Sequence, residues 1–154
     1  MWYFQCLTSS PPFQTVSRVR DQNAVLHRLQ NLDGWTIVDR RDNPSHGYRA
    51  VHAVYRDNRG IVEAQIRTFL QHQWAELSER YGRTHPQIKY GEGPASILAI
   101  LANFSDLVAI TERIEGLESD YPYPDSAQHI IKVRQSLLRL LDTQLNTIPL
   151  EAEQ

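Results

Sequence analysis

The stretch that decides the fold is GYRAVHAVYRDNRGIVEAQIRT, at residues 47–68. Its two ends alternate apolar and polar residues, a pattern that is typical of β-strands. Between them, DNRG at residues 57–60 has the composition of a tight turn. The stretch therefore predicts a β-hairpin formed by strands 48–56 and 61–68.

The position of the turn sets the register of this hairpin. A loop centred on residues 58–59 places His52 opposite Gln65 and Ala50 opposite Arg67. Because side chains alternate along a strand, the polar residues then collect on one sheet face: Tyr48, His52, Glu63, Gln65 and Arg67. The other face is apolar and suited to packing against a helix: Val51, Ala53, Tyr55, Val62, Ala64 and Ile66.

The rest of the chain predicts an α+β fold. Trp35–Asp39 is β-rich, and apolar residues at helical spacing predict helices at 21–30, at 69–81 and in the region of about 94–148. Asp21 is expected to cap the first helix, Gly82 to end the second, and the second to cover the apolar sheet face. YPYP at residues 121–124 predicts a turn. Residues 1–20 have no clear period and are interpreted as an irregular segment, with one domain at 21–154.

Composition narrows the classes of function. With 154 residues and 41% hydrophobic residues, the chain is long and apolar enough to form a core. A net charge of -2 and a pI near 6.3 argue against nucleic acid as a partner. A single cysteine, Cys6, excludes an internal disulfide, so a cytoplasmic location is expected. No run approaches the ~18 apolar residues of a membrane span, so a membrane is not expected as a partner.

The two strands resemble paired signatures of the RelA/SpoT-type synthetase domain, in which a G-Y-x-(S/A)-(L/V)-H strand precedes a V-E-(I/A)-Q-(I/V/L)-R-T strand. QHQWAE at residues 71–76 and DRR at residues 39–41 are similar to the same family. The resemblance implies a nucleotidyltransferase-like fold with a small mixed or antiparallel sheet, of which this chain is the C-terminal half. It also implies a role in guanosine tetraphosphate and pentaphosphate (alarmone) metabolism in the stringent response. The family moves pyrophosphate from ATP to the 3′ hydroxyl of GTP or GDP, with Mg²⁺ as cofactor.

The resemblance also implies roles for individual residues. Tyr48 would stack on the guanine base, since an aromatic face binds bases without reading their edges. Glu63 would bind Mg²⁺ or help to deprotonate the attacking 3′ hydroxyl. His52 and Gln65 would position ribose or phosphate oxygens.

Two arginines complete the implied site. Arg67 would clamp phosphate or form an ion pair with Glu63, and both alternatives stay open. Arg41 is preferred to Arg49 as a phosphate contact, because Arg49 is expected to point to the sheet face opposite Tyr48.

One signature of the family is missing. Its D-x-x-G-x-R strand carries the principal Mg²⁺ ligand, whereas residues 13–20 read FQTVSRVR, without an acidic residue or a glycine. We expect either an N-terminal truncation of a longer protein or a degenerate copy. Three interpretations follow: an active pyrophosphokinase, a non-catalytic module that binds guanine nucleotides, or a structural module that forms homo-oligomers through its C-terminal helices.

Overall fold

The computed structural model describes residues 13–120 and 126–148. In these residues the chain forms four β-strands, four α-helices and one short 3₁₀ helix, which confirms the predicted α+β class. The predicted turn at residues 121–124 lies outside the described residues, as do residues 1–12.

The four strands form one mixed sheet. They are β1 (Phe13–Val16), β2 (Trp35–Asp39), β3 (Val51–Asp57) and β4 (Gly60–Thr68), in the spatial order β1-β4-β3-β2. β1 runs parallel to β4, and the other neighbours are antiparallel. The sheet is therefore of the small mixed type that the sequence predicts.

The β3–β4 hairpin turns where its sequence predicts. Asp57 pairs with Gly60, so Asn58 and Arg59 form the loop. Asp57 Oδ1 accepts hydrogen bonds from the backbone nitrogens of Arg59, at 2.8 Å, and Gly60, at 3.2 Å. These donors hold the pKa of the Asp57 carboxyl below its usual value, chiefly through the Arg59 backbone N–H. The aspartate side chain therefore closes the turn itself.

The apolar sheet face is covered by α1 (Val19–Gln30), which corrects the expectation that helix 69–81 covers it. Leu26 packs there in a buried cluster with Val51, Ala53 and Ile66. Gln22 is fully buried, and its Nε2 donates to the Ile66 carbonyl at 2.8 Å. Because an amide buried without a partner is costly, this bond fixes α1 against β4.

Residues 13–16 and 19–20 are regular, contrary to the expectation of an irregular segment at residues 1–20. β1 occupies Phe13–Val16, and α1 begins at Val19 rather than Asp21. The strand pairs with β4 over the positions from Phe13↔Gln65 to Val16↔Thr68, a contact with a distant segment that its own four residues do not indicate. Asp21 does not cap the helix. It lies in the first turn, where its carboxylate interacts favourably with the positive end of the helix dipole.

The remaining helices share a second core. They are α2 (Phe69–Thr84), α3 (Ala95–Asp120) and α4 (Ser126–Thr147), with a 3₁₀ helix at Pro86–Tyr90. Their buried residues form one cluster: Leu70, Trp74, Ala75, Leu77, Ile88, Leu101, Val108, Leu137, Leu141 and Leu145. Gly82 does not end α2, because it lacks the positive φ of a helix-ending glycine, and the helix continues to Thr84.

The chain divides into two compact units. The sheet unit comprises Met1–Ser45 and Arg49–Phe69, within its described residues. The helical unit comprises His46–Tyr48 and Leu70–Gln154, within the same limit. The short segment His46–Tyr48 thus belongs with the helices, although the sequence predicts Tyr48 as the start of a strand.

α3 corrects the expectation that no segment approaches the length and apolarity of a membrane span. Residues Ala95–Leu117 have a mean hydropathy of 1.5, so by length and composition alone this helix could cross a membrane. A core helix of a helical bundle can have the same length and apolar composition. In α3, Leu101 and Val108 belong to the helical core, and the buried Glu112 accepts a hydrogen bond from Gln71 of α2 at 2.9 Å.

Candidate functional site

The hairpin register brings four predicted site residues onto one face of the sheet. His52 pairs with Gln65, as predicted, and Val54 pairs with Glu63. Since paired residues point to the same face and side chains alternate along β4, His52, Glu63, Gln65 and Arg67 share that face. The predicted pair of Ala50 and Arg67 is not formed, because the β3–β4 ladder ends at Val51↔Ile66.

The centre of this polar face is a contact between His52 and Glu63. His52 Nδ1 lies 2.5 Å from Glu63 Oε1, and the two side chains are 21% and 32% exposed. At this distance a protonated Nδ1 donates to the carboxylate. The bond restrains the rotation of a glutamate that ligands can still reach, which is the arrangement expected of a base or an oxygen ligand.

Arg67 lies four residues after Glu63 on β4. Its Nη2 donates to Gln65 Oε1, and the side chain is buried at 6% exposure. On the neighbouring strand, Thr15 of β1 pairs with Arg67. The guanidinium therefore holds the Gln65 side chain on the face that both residues share.

Arg41, predicted to contact phosphate, has a structural set of partners. Its Nη2 forms an ion pair with Asp39 Oδ2 at 2.5 Å, and its Nη1 donates to Asn23 Oδ1 at 2.5 Å. This guanidinium holds the pKa of the Asp39 carboxyl below its usual value, mainly through their side-chain hydrogen bond. Arg49 Nη1 donates to the Arg41 carbonyl at 2.5 Å. Arg41 thus links β2 to α1, and phosphate binding by it stays a prediction.

Tyr48 lies outside strand β3, which begins at Val51. Strand alternation therefore does not place Tyr48 on the polar face, and that part of the expectation is corrected. Tyr48 belongs to the helical unit, where it is half-buried and packs against Trp74 with ring centroids 6.3 Å apart. The contact gives the ring a fixed support.

The donor set for Mg²⁺ is small. Among the described residues no three His, Cys, Asp or Glu side chains lie close enough together to hold a metal ion. Of the carboxylates in the four described strands, Glu63 alone lies on the His52 face, because Asp39 and Asp57 follow the alternation of the other face. One carboxylate fits a Mg²⁺ that nucleotide phosphates also coordinate. It does not fit a Mg²⁺ held by the protein alone.

Sequence reasoning gave no role beside Tyr48 to two residues that contact this tyrosine or the glycine before it. Ser105 of α3 donates from Oγ to the Gly47 carbonyl at 2.7 Å, and Trp74 of α2 donates from Nε1 to the Leu101 carbonyl at 2.8 Å. The QHQWAE motif at residues 71–76 already pointed to Trp74. A serine on an apolar helix gives no comparable signal.

Comparisons of sequence find few relatives. No protein-family model matches the chain. Uncharacterised proteins of Mycobacterium tuberculosis and Mycobacterium bovis are 43% identical over 82 residues, which is 49% of this chain and 29% of theirs. The chain thus matches less than a third of the length of these curated relatives.

Comparisons of structure point to one fold. The small alarmone synthetase 1 of Bacillus subtilis, solved with its product pppGpp, matches with a TM-score of 0.55 at 20% identity, over 72% of this chain and 62% of that one. Its small alarmone synthetase 2 matches with 0.54 at 20% identity, over 70% and 64%. A GTP pyrophosphokinase family protein of Streptococcus pneumoniae matches with 0.55 at 18% identity, over 89% and 63%. The chain therefore has the fold of the RelA/SpoT-type synthetase domain.

Proposed function

We propose that the chain binds a guanine nucleotide and transfers pyrophosphate from ATP to the 3′ hydroxyl of GTP or GDP, as part of alarmone metabolism in the stringent response. The observation that carries the proposal is the His52–Glu63 contact on the polar face of a sheet with this fold. A structural neighbour with the same fold is bound to pppGpp, which supports a guanine nucleotide as ligand.

Glu63 is the base in the proposed reaction. Its carboxylate takes the proton of the 3′ hydroxyl as that oxygen attacks the β-phosphorus of ATP. The bond from the β-phosphorus to the oxygen shared with the α-phosphate breaks, AMP leaves, and the pyrophosphoryl group remains on the 3′ oxygen. His52 holds the carboxylate by the 2.5 Å contact to Oε1, which restrains the base for proton transfer.

The other residues bind and orient. Arg67 and Gln65 supply a guanidinium and an amide to phosphate or ribose oxygens, and Tyr48 offers its ring to the base. Where Glu63 instead binds Mg²⁺ that arrives with the nucleotide phosphates, the ion would neutralise charge on the transferred group.

A second candidate function is nucleotide binding without turnover. The observation that favours it is β1, whose sequence FQTV provides no carboxylate beside β4. Phosphoryl transfer depends on charge neutralisation by metal ions, and a single carboxylate is a poor ligand set for them. It therefore argues against catalysis more than against nucleotide binding.

One experiment separates the two functions. Purified protein is incubated with Mg²⁺, labelled ATP and GDP or GTP, and pyrophosphorylated guanosine is read out by chromatography, alongside calorimetric titration with GDP. Glu63→Gln is compared with Glu79→Gln, which removes the same charge from an exposed position on α2.

The outcomes point in three directions. Product with the wild type and Glu79→Gln, but not with Glu63→Gln, supports pyrophosphate transfer. GDP binding without product supports the second candidate. If neither product nor GDP binding is found, both candidate functions are rejected. The structural interpretation then remains.

We further propose that a second copy of the chain is a partner. α3 exposes four apolar side chains at alternating spacings of three and four residues: Leu107 at 43%, Ile110 at 53%, Ile114 at 39% and Leu117 at 58% exposure. We call these four residues the α3 stripe. This spacing is typical of the residues that line the contact between paired helices. The same stripe on a second copy of the chain would provide a matching apolar surface.

A further inference from the structure

The QHQWAE motif at residues 71–76 has no role in the proposed chemistry, yet two of its polar side chains are buried in the helical unit. Gln71 and Trp74 are 2% and 4% exposed. Gln71 Nε2 donates to Glu112 Oε2 at 2.9 Å, and Trp74 Nε1 donates to the Leu101 carbonyl at 2.8 Å. Both motif residues thus fix α2 against α3.

The same turn of α3 also holds the segment His46–Tyr48. Ser105, four residues after Leu101, is buried at 2% exposure and donates to the Gly47 carbonyl at 2.7 Å. The Gly47 carbonyl is partly buried, and such a group is stabilised by a donor because an unpaired one is costly. Ser105 therefore attaches the segment to α3 through its backbone.

Close packing restricts the segment further. Gly47 has φ 87°, and a β-carbon there would lie 2.9 Å from Trp74 Cζ2 and 3.3 Å from the Ser105 β-carbon. His46 also has a positive φ, of 51°, and its imidazole ring lies against Gly91. Two successive residues in the left-handed region hold a conformation that the neighbours must stabilise.

We propose that Trp74 and Ser105 are positioning residues for Tyr48. Trp74 supports the Tyr48 ring, and Ser105 fixes the backbone one residue before it, so that the exposed part of the ring is held in one orientation for a planar base. This inference rests on the proposed binding of a guanine nucleotide and adds the residues that orient it. The unbound protein already holds the ring, so binding loses less conformational entropy.

The test compares two hydroxyl deletions in α3. Ser105→Ala removes the bond to Gly47. Thr111→Val removes a buried hydroxyl of the same helix, which donates at 2.8 Å to the Leu107 carbonyl within α3. Trp74→Phe is a second variant that keeps an aromatic ring and loses the indole donor.

Two measurements are made on each variant: hydrogen exchange at the amides of residues 46–48, and GDP affinity by calorimetry. We expect Ser105→Ala and Trp74→Phe to speed exchange at 46–48 and to raise the Kd for GDP about threefold to tenfold, the effect of one lost hydrogen bond. Thr111→Val should leave both unchanged, and thermal midpoints identify any loss that comes from unfolding alone.

Exchange at residues 46–48 that is the same in Ser105→Ala and Thr111→Val overturns the positioning role. Faster exchange with an unchanged Kd for GDP overturns its link to the ligand. Wild-type protein that binds no GDP rejects the proposed function instead, and the exchange data then decide by themselves whether Ser105 and Trp74 hold the segment.

Discussion

Gly47→Ala and Gly116→Ala should change the stability of the protein in opposite directions. Gly47 has φ 87° and faces Trp74 and Ser105, whereas Gly116 lies in α3 with no atom within 4 Å of an added β-carbon. The two substitutions add the same methyl group. Any difference between them therefore comes from backbone conformation and local packing.

The magnitudes follow from these two environments. An alanine forced into the left-handed region at position 47 costs about 1–2 kcal/mol, and a β-carbon 2.9 Å from Trp74 Cζ2 adds an overpacking cost of about 1–3 kcal/mol. Gly47→Ala should therefore lower the free energy of unfolding by about 2–5 kcal/mol. Gly116→Ala should raise it by about 0.5–1 kcal/mol, the difference in helix propensity.

Urea unfolding followed by circular dichroism measures both changes. With a slope of about 2 kcal/mol per molar urea, the midpoint for Gly47→Ala should fall by about 1–2.5 M, and that for Gly116→Ala should rise by a few tenths of a molar unit. Equal midpoints for the two variants would refute the reasoning, because they would mean that neither the φ of Gly47 nor its contact with Trp74 constrains the segment.

Two other predictions concern charge and assembly. Arg41 lowers the pKa of Asp39, so the stability from this pair is fully present above the unfolded value of about 3.9 and is lost as the pH falls through the lower folded value. Asp39→Asn should thus reduce stability near neutral pH but not in strong acid, as measured by thermal midpoints across the acid range. Ile110→Glu, in the α3 stripe, should lower the molar mass found by light scattering after gel filtration, since a buried unpaired charge opposes helix pairing.

Each of these has an outcome that contradicts it. An Asp39→Asn variant whose midpoint differs from wild type equally at every pH would show that the ion pair does not titrate with folding. For Ile110→Glu the matched control is Ala99→Glu, at an exposed position of α3 outside the α3 stripe. The same molar mass for both variants and the wild type argues against a second copy at this surface.

The hairpin and its register were predictable because their chemistry is local. Asp57 closes the turn with its own carboxylate, and side-chain alternation then fixes which residues of β3 and β4 share a face. Strand β2 was predicted at Trp35–Asp39, with the bounds that the structure has. Pairing of His52 with Gln65 followed from the same turn.

Contacts between distant segments were not predictable in the same way. β1 is stabilised by backbone pairing with β4, so FQTV gives no pattern that separates it from a loop. The apolar stripe of α2 is compatible with packing against either a sheet or a helix. In the structure it packs with α3 and α4. Tyr48 continues the alternation of β3 in sequence, yet Gly47 leaves the strand conformation because Ser105 and Trp74 hold it.

The proposed base binding and the proposed chemistry depend on different contacts. The contacts that orient Tyr48 come from Trp74 of α2 and, through Gly47, from Ser105 of α3, whereas Glu63 is restrained by His52 of β3. A strand β1 without a carboxylate removes an oxygen ligand, but it removes none of these contacts. Loss of pyrophosphate transfer would therefore leave the support of Tyr48 intact. If the second candidate function is correct, the protein should bind GDP without turnover. Ser105→Ala should then still weaken that binding.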